Sequence, residues 1–406
     1  MLKKVPVLPF AIAVISGAYL MFLGIHAWCG PLALGTSVWM NEEAISDGYV
    51  LVAPYYGDTN FAEPGAVHLM DSWGRIVHSW QTKYTTLISY LQPSGTIYAA
   101  MTPPLDIKDF PSGGSTGLIQ EIDWDGNVLW EIEDRRMTHD FEVMPDGGVA
   151  YVRWNLAPQS FAQNVQGGMR VASTSVWTNE IVVVNRAKEV TWTWKPEDHL
   201  DPREFELSPL VPRTDWMHIN SIRYLEKNPL TQTPVFLITA RHLSRALMIE
   251  IETGNVLWMS PKDTVALPHD ATLTDSGTIL MFDNGLFRNV ALPVVMSGAV
   301  EIESRLNSIA WNWNGGPSMI EKMQFSAHFM SGAQRLQNGN TLITASSLNT
   351  ILEVTPEGDV VWKYTNDWRD ESGRMHIVFK ARKYDARDTE WGSRISRFSM
   401  GGFCPR

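Results

Sequence analysis

Three histidines occupy matching places in a repeated pattern: Thr138-His139-Asp140, Met217-His218-Ile219-Asn220 and Pro268-His269-Asp270. Gly147 and Gly277 each follow their histidine by eight residues, which puts His139 and His269 at one position of one unit. A residue type repeated at one position lands on one face of a folded array, so imidazoles far apart in sequence can converge. Neutral imidazole can donate to an oxyanion, shuttle a proton or attack as a nucleophile near neutral pH. Arg241 closes the strand-like run after His218, and Asn220 lies two residues beyond that histidine, on the same side of a strand. A guanidinium presents a fixed fork of donors to a tetrahedral oxyanion. His139, His218, His269, Arg241 and Asn220 together suit phosphoryl or sulfuryl transfer from an anionic substrate.

Each of these residues also has a plainer reading. A histidine before a turn can be a satisfied structural one. Asp140 and Asp270 can cap the turn with their side chains. Arg241 can be a buried ion-pair partner. Three histidines can also hold Zn²⁺, but a guanidinium among them would repel the cation, and the expectation is no metal and no cofactor. His242 follows Arg241 and is expected on the opposite strand face. His78, His199, His328 and His376 stand out of register with the three.

Composition and missing motifs narrow the function classes. The chain has 406 residues, 44% hydrophobic and 19% charged, so it can bury a large core. A net charge of -11 argues against a general nucleic-acid partner. From Trp368 to Arg406, however, nine Lys/Arg stand against five Asp/Glu, a locally basic stretch read as solvated surface or as a contact for anionic headgroups. The sequence carries no phosphate-cradling glycine loop and no serine nucleophile elbow. Cys29 and Cys404, one near each end, form no disulfide framework or metal knuckle.

The elements that must position the histidines read as β-strands. A turn, alternating apolar residues and a Trp recur at 74–80, 126–130, 188–194, 254–258 and 358–362, with a degenerate copy at 308–313. A second strand pattern interleaves at 48–52, 95–98, 148–152, 235–239, 277–281 and 339–343. Period-2 alternation bounded by Gly, Asn and Asp is strand and turn chemistry. Six such units predict a six-bladed β-propeller in which the tryptophans pack between blades and the ring closes without exposed edges. The long, proline-bearing gap from Trp194 to His218 and the stretch from Phe287 to Gln324 are candidate lids over the binding face. The expected organisation is a membrane anchor or signal segment over 1–37, the propeller over 38–385 and a basic tail over 386–406.

Lys3 and Lys4 precede an uncharged run from Val5 to Gly35. A spanning helix needs about 20 apolar residues, more than a signal-peptide core. Residues 5–28 fit a single N-terminal transmembrane helix before the all-β domain, with the lysines inside and the bulk of the chain outside. The alternative is cleavage near Ala33-Leu34-Gly35, which would leave a soluble periplasmic protein.

Several stretches together resemble the bacterial arylsulfate sulfotransferase family: 138–148, 217–222, 238–241, 268–271 with 282–285, and 334–343 with Glu353-Val354. They run in the family's order. The resemblance implies a six-bladed propeller outside the cytoplasm, which the single helix read from residues 5–28 would hold at the inner membrane. It also implies nucleotide-independent transfer of a sulfuryl group from a phenolic sulfate ester to a phenol acceptor. It makes His269 the residue that is transiently sulfated. His139, His218, Asn220 and Arg241 match residues that hold the sulfuryl oxygens and assist proton transfer, with His218 or His139 as the acid. The first blade follows almost directly on the apolar segment, which leaves the oligomeric state open. Two competing readings are a non-catalytic membrane-tethered propeller that binds a partner, and an esterase that passes the group to water.

Overall fold

The structure, a computed structural model, describes residues 37–55, 63–104, 113–171, 173, 175–288, 295–369, 373, 375–387 and 389–399. The expected spanning helix and both cysteines lie outside these residues. Among the described residues no helix is long and apolar enough to cross a membrane.

The alternating apolar segments form six antiparallel sheets arranged as the blades of a propeller. The interleaved strand pattern becomes the second strand of every blade, and the Trp-bearing pattern becomes the fourth. Blade 3, for example, runs Met137–Val143, Val149–Leu156, Trp177–Val184 and Val190–Trp194 from hub to rim. Blade 4 runs Ile219–Leu225, Val235–Ala240, Arg245–Glu250 and Val256–Met259, and blade 5 runs His269–Leu273, Ile279–Asp283, Gly298–Glu303 and Ser308–Trp313. First strands of neighbouring blades touch and line the hub.

The tryptophans tie each blade to the next. Trp80, Trp130, Trp194, Trp258, Trp313 and Trp362 are all buried. Their indole N–H groups donate to Asp123, Arg186, Gly254, Asn307, Gly358 and Ser72 at 2.7–3.0 Å. Each acceptor lies in the turn between the third and fourth strands of the following blade, so the six bonds run once round the ring. A buried indole needs a partner for its N–H, and each bond contributes about 1 kcal/mol net. One residue at one place in the repeat thus supplies both the apolar wedge and the polar latch between blades.

The ring is closed by both ends of the described chain. Ser37–Met40 adds a fifth, outermost strand to blade 6 by pairing with Val360–Thr365. Arg382–Tyr384 is the innermost strand of blade 1, paired with Tyr49–Val52. Neither of these strands was marked by the repeat. From residue 386, the segment read as a basic tail leads into the helix Glu390–Ser399, whose Trp391 is buried against Tyr49 and Trp124.

Candidate active site

The histidines sit where the first strands of blades 3, 4 and 5 begin, and each of those strands starts with a bulge. The pairing register shifts between Thr138 and Phe141, between Ile219 and Ser221, and between His269 and Thr272. His139, His218 and Asp270 take positive φ of 55°, 52° and 62°. A bulge re-aims the side chains beside it and is common next to active sites. Here it sends each histidine to the mouth of the hub and turns the aspartates that follow, Asp140 and Asp270, inward.

The imidazoles converge. The rings of His139 and His218 are 4.5 Å apart, and His218 stacks on His242 at 4.5 Å. His139 and His269 flank Phe379 at 6.2 and 6.1 Å. The charges of Arg241 and His139 act on His269, which is thereby within electrostatic reach of the cluster. All three predicted histidines are held neutral, well below the usual imidazole range: burial is the main cause, and the neighbouring positive groups add to it.

The hydrogen bonds give the histidines different characters. Asn284 donates from Nδ2 to the carbonyls of Ala327 and Met330, so its Oδ1 must accept from His269 Nδ1 at 2.6 Å. That fixes the Nδ1–H tautomer and leaves Nε2 of His269 a lone pair with no partner among the described residues. His218 Nδ1 meets Asp215 Oδ2 at 2.5 Å, a carboxylate partner in place of an amide. Burial lifts the Asp215 carboxyl to about 6 against the opposing pull of His242 and Arg241. The pair at neutral pH is a carboxylate accepting from a neutral imidazole, again with Nε2 free. His139 Nδ1 contacts Thr138 Oγ1 at 2.7 Å.

Arg241 is the least neutralised cation in the cluster. Among the described residues it has no carboxylate within salt-bridge distance. Its Nη1 donates to His242 Nε2 at 2.8 Å, and burial opposes its charge, which the more distant Asp215 favours. His242 in turn gives its Nδ1–H to the Asp215 carbonyl and is pushed down to about 3, chiefly by burial. A buried guanidinium beside neutral imidazoles is a place for an anion. Asp215, His218 and His242 also offer ligand atoms within 4.8 Å of one another. Each of those side chains is already committed to a hydrogen bond in the cluster, and Arg241 stands against one of them, so the set suits an anion better than a cation.

Asn220 is buried and donates to the carbonyl of Pro268 at 3.0 Å, while its Oδ1 accepts from Thr239. It braces the residue before His269, and its second N–H has no partner among the described residues. Gly113 and Gly114 cover the cluster from above. A Cβ on Gly114 would stand 2.2 Å from His139 Nε2, and one on Gly113 would stand 3.4 Å from His218 Cε1.

The family model described as Arylsulfotransferase (ASST) matches residues 108–367. The chain belongs to the arylsulfotransferase family. No curated protein matches it by sequence. Among solved structures it is similar to a protein of unknown function from Bacteroides caccae, with 15% identity and a TM-score of 0.48 over 83% of this chain and 99% of that one. It is also similar to a catalytically inactive virginiamycin B lyase from Staphylococcus aureus with quinupristin, with 11% identity and a TM-score of 0.37 over 68% of each chain. At that level neither likeness says anything of this chain's chemistry.

Sequence reasoning missed four members of this candidate site. His242 was expected to face away from Arg241. Residues Arg241–Leu243 form a 3-10 turn, which breaks the strand alternation and turns both neighbours toward Asp215 and His218. Asp215 lies in the long loop before His218, where no periodicity marks it. Asn284 stood within the family-like stretch 282–285 without an assigned role. Phe379 comes from the closing segment at the far end of the chain.

The inward aspartates are more than turn caps. Asp140 accepts from Tyr90, Arg223 and Lys380 at 2.7–3.1 Å. Asp270 accepts from Arg382 at 2.8 Å and from Arg223 and Lys380 at 3.2 Å. Burial pushes the Asp270 carboxyl up, but Arg382, Lys380 and Arg223 outweigh it and hold it well below the usual carboxylate range. Burial lowers Lys380 to about 8. This network fills the hub beneath the histidines. It also corrects the reading of a basic C-terminal surface, because Lys380, Arg382 and Lys383 are buried on Asp140, Asp270 and Glu353.

Proposed function

We propose that this protein transfers a sulfuryl group from a phenolic sulfate ester to a phenol, through a sulfohistidine at Nε2 of His269. The observation that carries this reading is Arg241, a buried guanidinium with no carboxylate salt bridge among the described residues, set among imidazoles held neutral. Arg241 takes the sulfuryl oxygens, with His139 and the second N–H of Asn220 as further donors. The free lone pair of His269 attacks sulfur, and the bond from sulfur to the phenolic oxygen breaks. With the ester bound, His218 takes up one proton from solvent at Nε2; it gives that proton to the leaving phenolate, and the acceptor phenol returns one to His218 as its oxygen attacks the sulfohistidine. The two displacements balance and require no nucleotide.

The partners of the two histidines fit this division. A carboxylate beside His218 stabilises the imidazolium form that an acid needs. An amide beside His269 leaves the Nδ1 proton in place after sulfation, so the sulfo-imidazolium remains a good leaving group for the second transfer. Resting His218 is neutral, and Arg241 is the largest charge holding it so after burial. A sulfate ester arriving at Arg241 offsets that charge and makes His218 easier to protonate.

The same reading seats residues 5–28 in the inner membrane as a single helix, with the propeller in the periplasm. Its support is the uncharged run after Lys3 and Lys4.

The test is to quench the protein with 4-nitrophenyl sulfate and search by mass spectrometry for a sulfo adduct on the peptide containing His269. The adduct and the transfer to an added phenol should both vanish in His269→Asn. Unchanged turnover in that variant would remove the mechanism. Sulfate release independent of added phenol would replace transfer with hydrolysis.

A further inference from the structure

Strand direction sorts every connection to one of the two ends of the propeller. First strands begin at the histidine end, second strands finish there, third strands start there and fourth strands return to it. Ser37 pairs with Thr365, the last residue of a fourth strand. The N-terminal edge strand therefore begins at the histidine end, and the 36 residues before it join the propeller there. If residues 5–28 span a membrane, residues 29–36 link the span to Ser37. Fully extended, such a link reaches at most about 28 Å.

The same end carries a group of apolar side chains that the fold does not bury. Met319, Ile320 and Met323 are 60%, 68% and 48% exposed on the helix Met319–Gln324. That helix opens with a reciprocal cap between Ser318 and Glu321, so it is a formed element presenting an apolar surface. Leu156, Met169 and Leu210, on or beside the loops over blade 3, are exposed as well. The turns at the opposite end expose only Trp73 and Leu306 among the described large apolar residues. Val171 and Phe287 lie in loops of the histidine end, and the remaining exposed ones are spread around the rim on the outer strands. Scattered apolar residues need no explanation, whereas a group gathered at one end marks a contact.

We propose that the histidine end docks on the bilayer that holds residues 5–28, with the helix Met319–Gln324 and the loops bearing Met169 and Leu210 seated in the headgroup boundary. The inference rests on the anchor reading above. It turns the mouth of the site toward lipid, so the phenols and sulfate esters it meets first are those that partition into a membrane. The helix Glu390–Ser399 lies at the other end, with Trp391 against Gly95 and Trp124. The described basic residues Arg387 and Arg394 lie at that end, away from this bilayer.

The test uses the full chain with Cys29→Ser and Cys404→Ser, reconstituted in dioleoylphosphatidylcholine vesicles. A nitrobenzoxadiazole label is placed at Ile320→Cys or, separately, at Leu306→Cys, and doxyl-labelled phosphatidylcholine serves as a collisional quencher. Loss of fluorescence at 320 and none at 306 is expected. Quenching at 306, or at neither position in protein that floats with the vesicles, would overturn the orientation and leave the anchor standing. An intact mass lacking the first segment, or failure to float, would remove the anchor and the orientation with it. Transfer from 4-nitrophenyl sulfate, measured on the same preparations, reads the catalytic proposal separately from both.

Discussion

Asp215→Asn separates what the Asp215–His218 pair gives to catalysis from what it costs the fold. Burial holds the Asp215 carboxyl at about 6, against an ordinary 3.8. A rise of about two units disfavours the ionised carboxylate in the folded state by about 3 kcal/mol. The folded protein binds this proton more tightly than the unfolded chain. Stability on this account therefore falls as pH rises from about 4 to about 6, and the full cost is present above that range. The amide has no charge to bury. The variant is expected to be at least as stable as the parent at about pH 7.5, and by up to about 3 kcal/mol more so, with the advantage shrinking toward about pH 4. Activity should move the other way. An amide cannot stabilise the imidazolium at His218, and it can donate to Nδ1 and set the wrong tautomer. General acid–base catalysis contributes about 10²–10⁴-fold, and kcat should fall by that order with little change in KM. Urea unfolding at both pH values and turnover of 4-nitrophenyl sulfate, on the same preparations, read the two effects. A variant that keeps parental kcat, or that is destabilised by about 3 kcal/mol near pH 7.5, refutes the assignment.

Two further substitutions probe the cover and the floor of the site. Gly114→Ala puts a methyl 2.2 Å from His139 Nε2 at a backbone φ of +68°. It should cost about 1–3 kcal/mol of stability and sharply reduce transfer, and an active variant with unchanged unfolding would show that the glycine does not hold this position. Asp270→Asn leaves Arg382, Lys380 and Arg223 facing Asp140 with one carboxylate fewer. A loss of about 3–5 kcal/mol is expected at neutral pH. Because the Asp270 carboxyl is held low, the gap from the parent should close as pH falls below about 4, and a gap that widens instead would contradict the network.

The repeat was legible because propeller blades reuse local chemistry. A Trp in each fourth strand and a Gly before most of the second strands follow from strand alternation and turn geometry, which act over a few residues. The expected fourth-strand segments, including the degenerate copy ending at Trp313, were all found as fourth strands, outermost in every blade but the sixth. The strands that close the ring were not legible. Ser37–Met40 and Arg382–Tyr384 are short, and what makes them strands is an edge supplied by chain hundreds of residues away.

The residues of the candidate site divide along the same line. Sequence by itself determined that His139, His218 and His269 occupy equivalent places, and a closed ring of like units makes equivalent places neighbours. Only the tertiary structure decided what each histidine is. Asp215 reaches His218 from a loop without pattern, and Asn284 reaches His269 from the end of the next strand. A 3-10 turn brings His242 back onto Arg241. Lys380 and Arg382 come from the closing segment to neutralise the aspartates beneath. Tautomer, charge and proton affinity are set by burial and by through-space partners, and neither has a period that can be read along a chain.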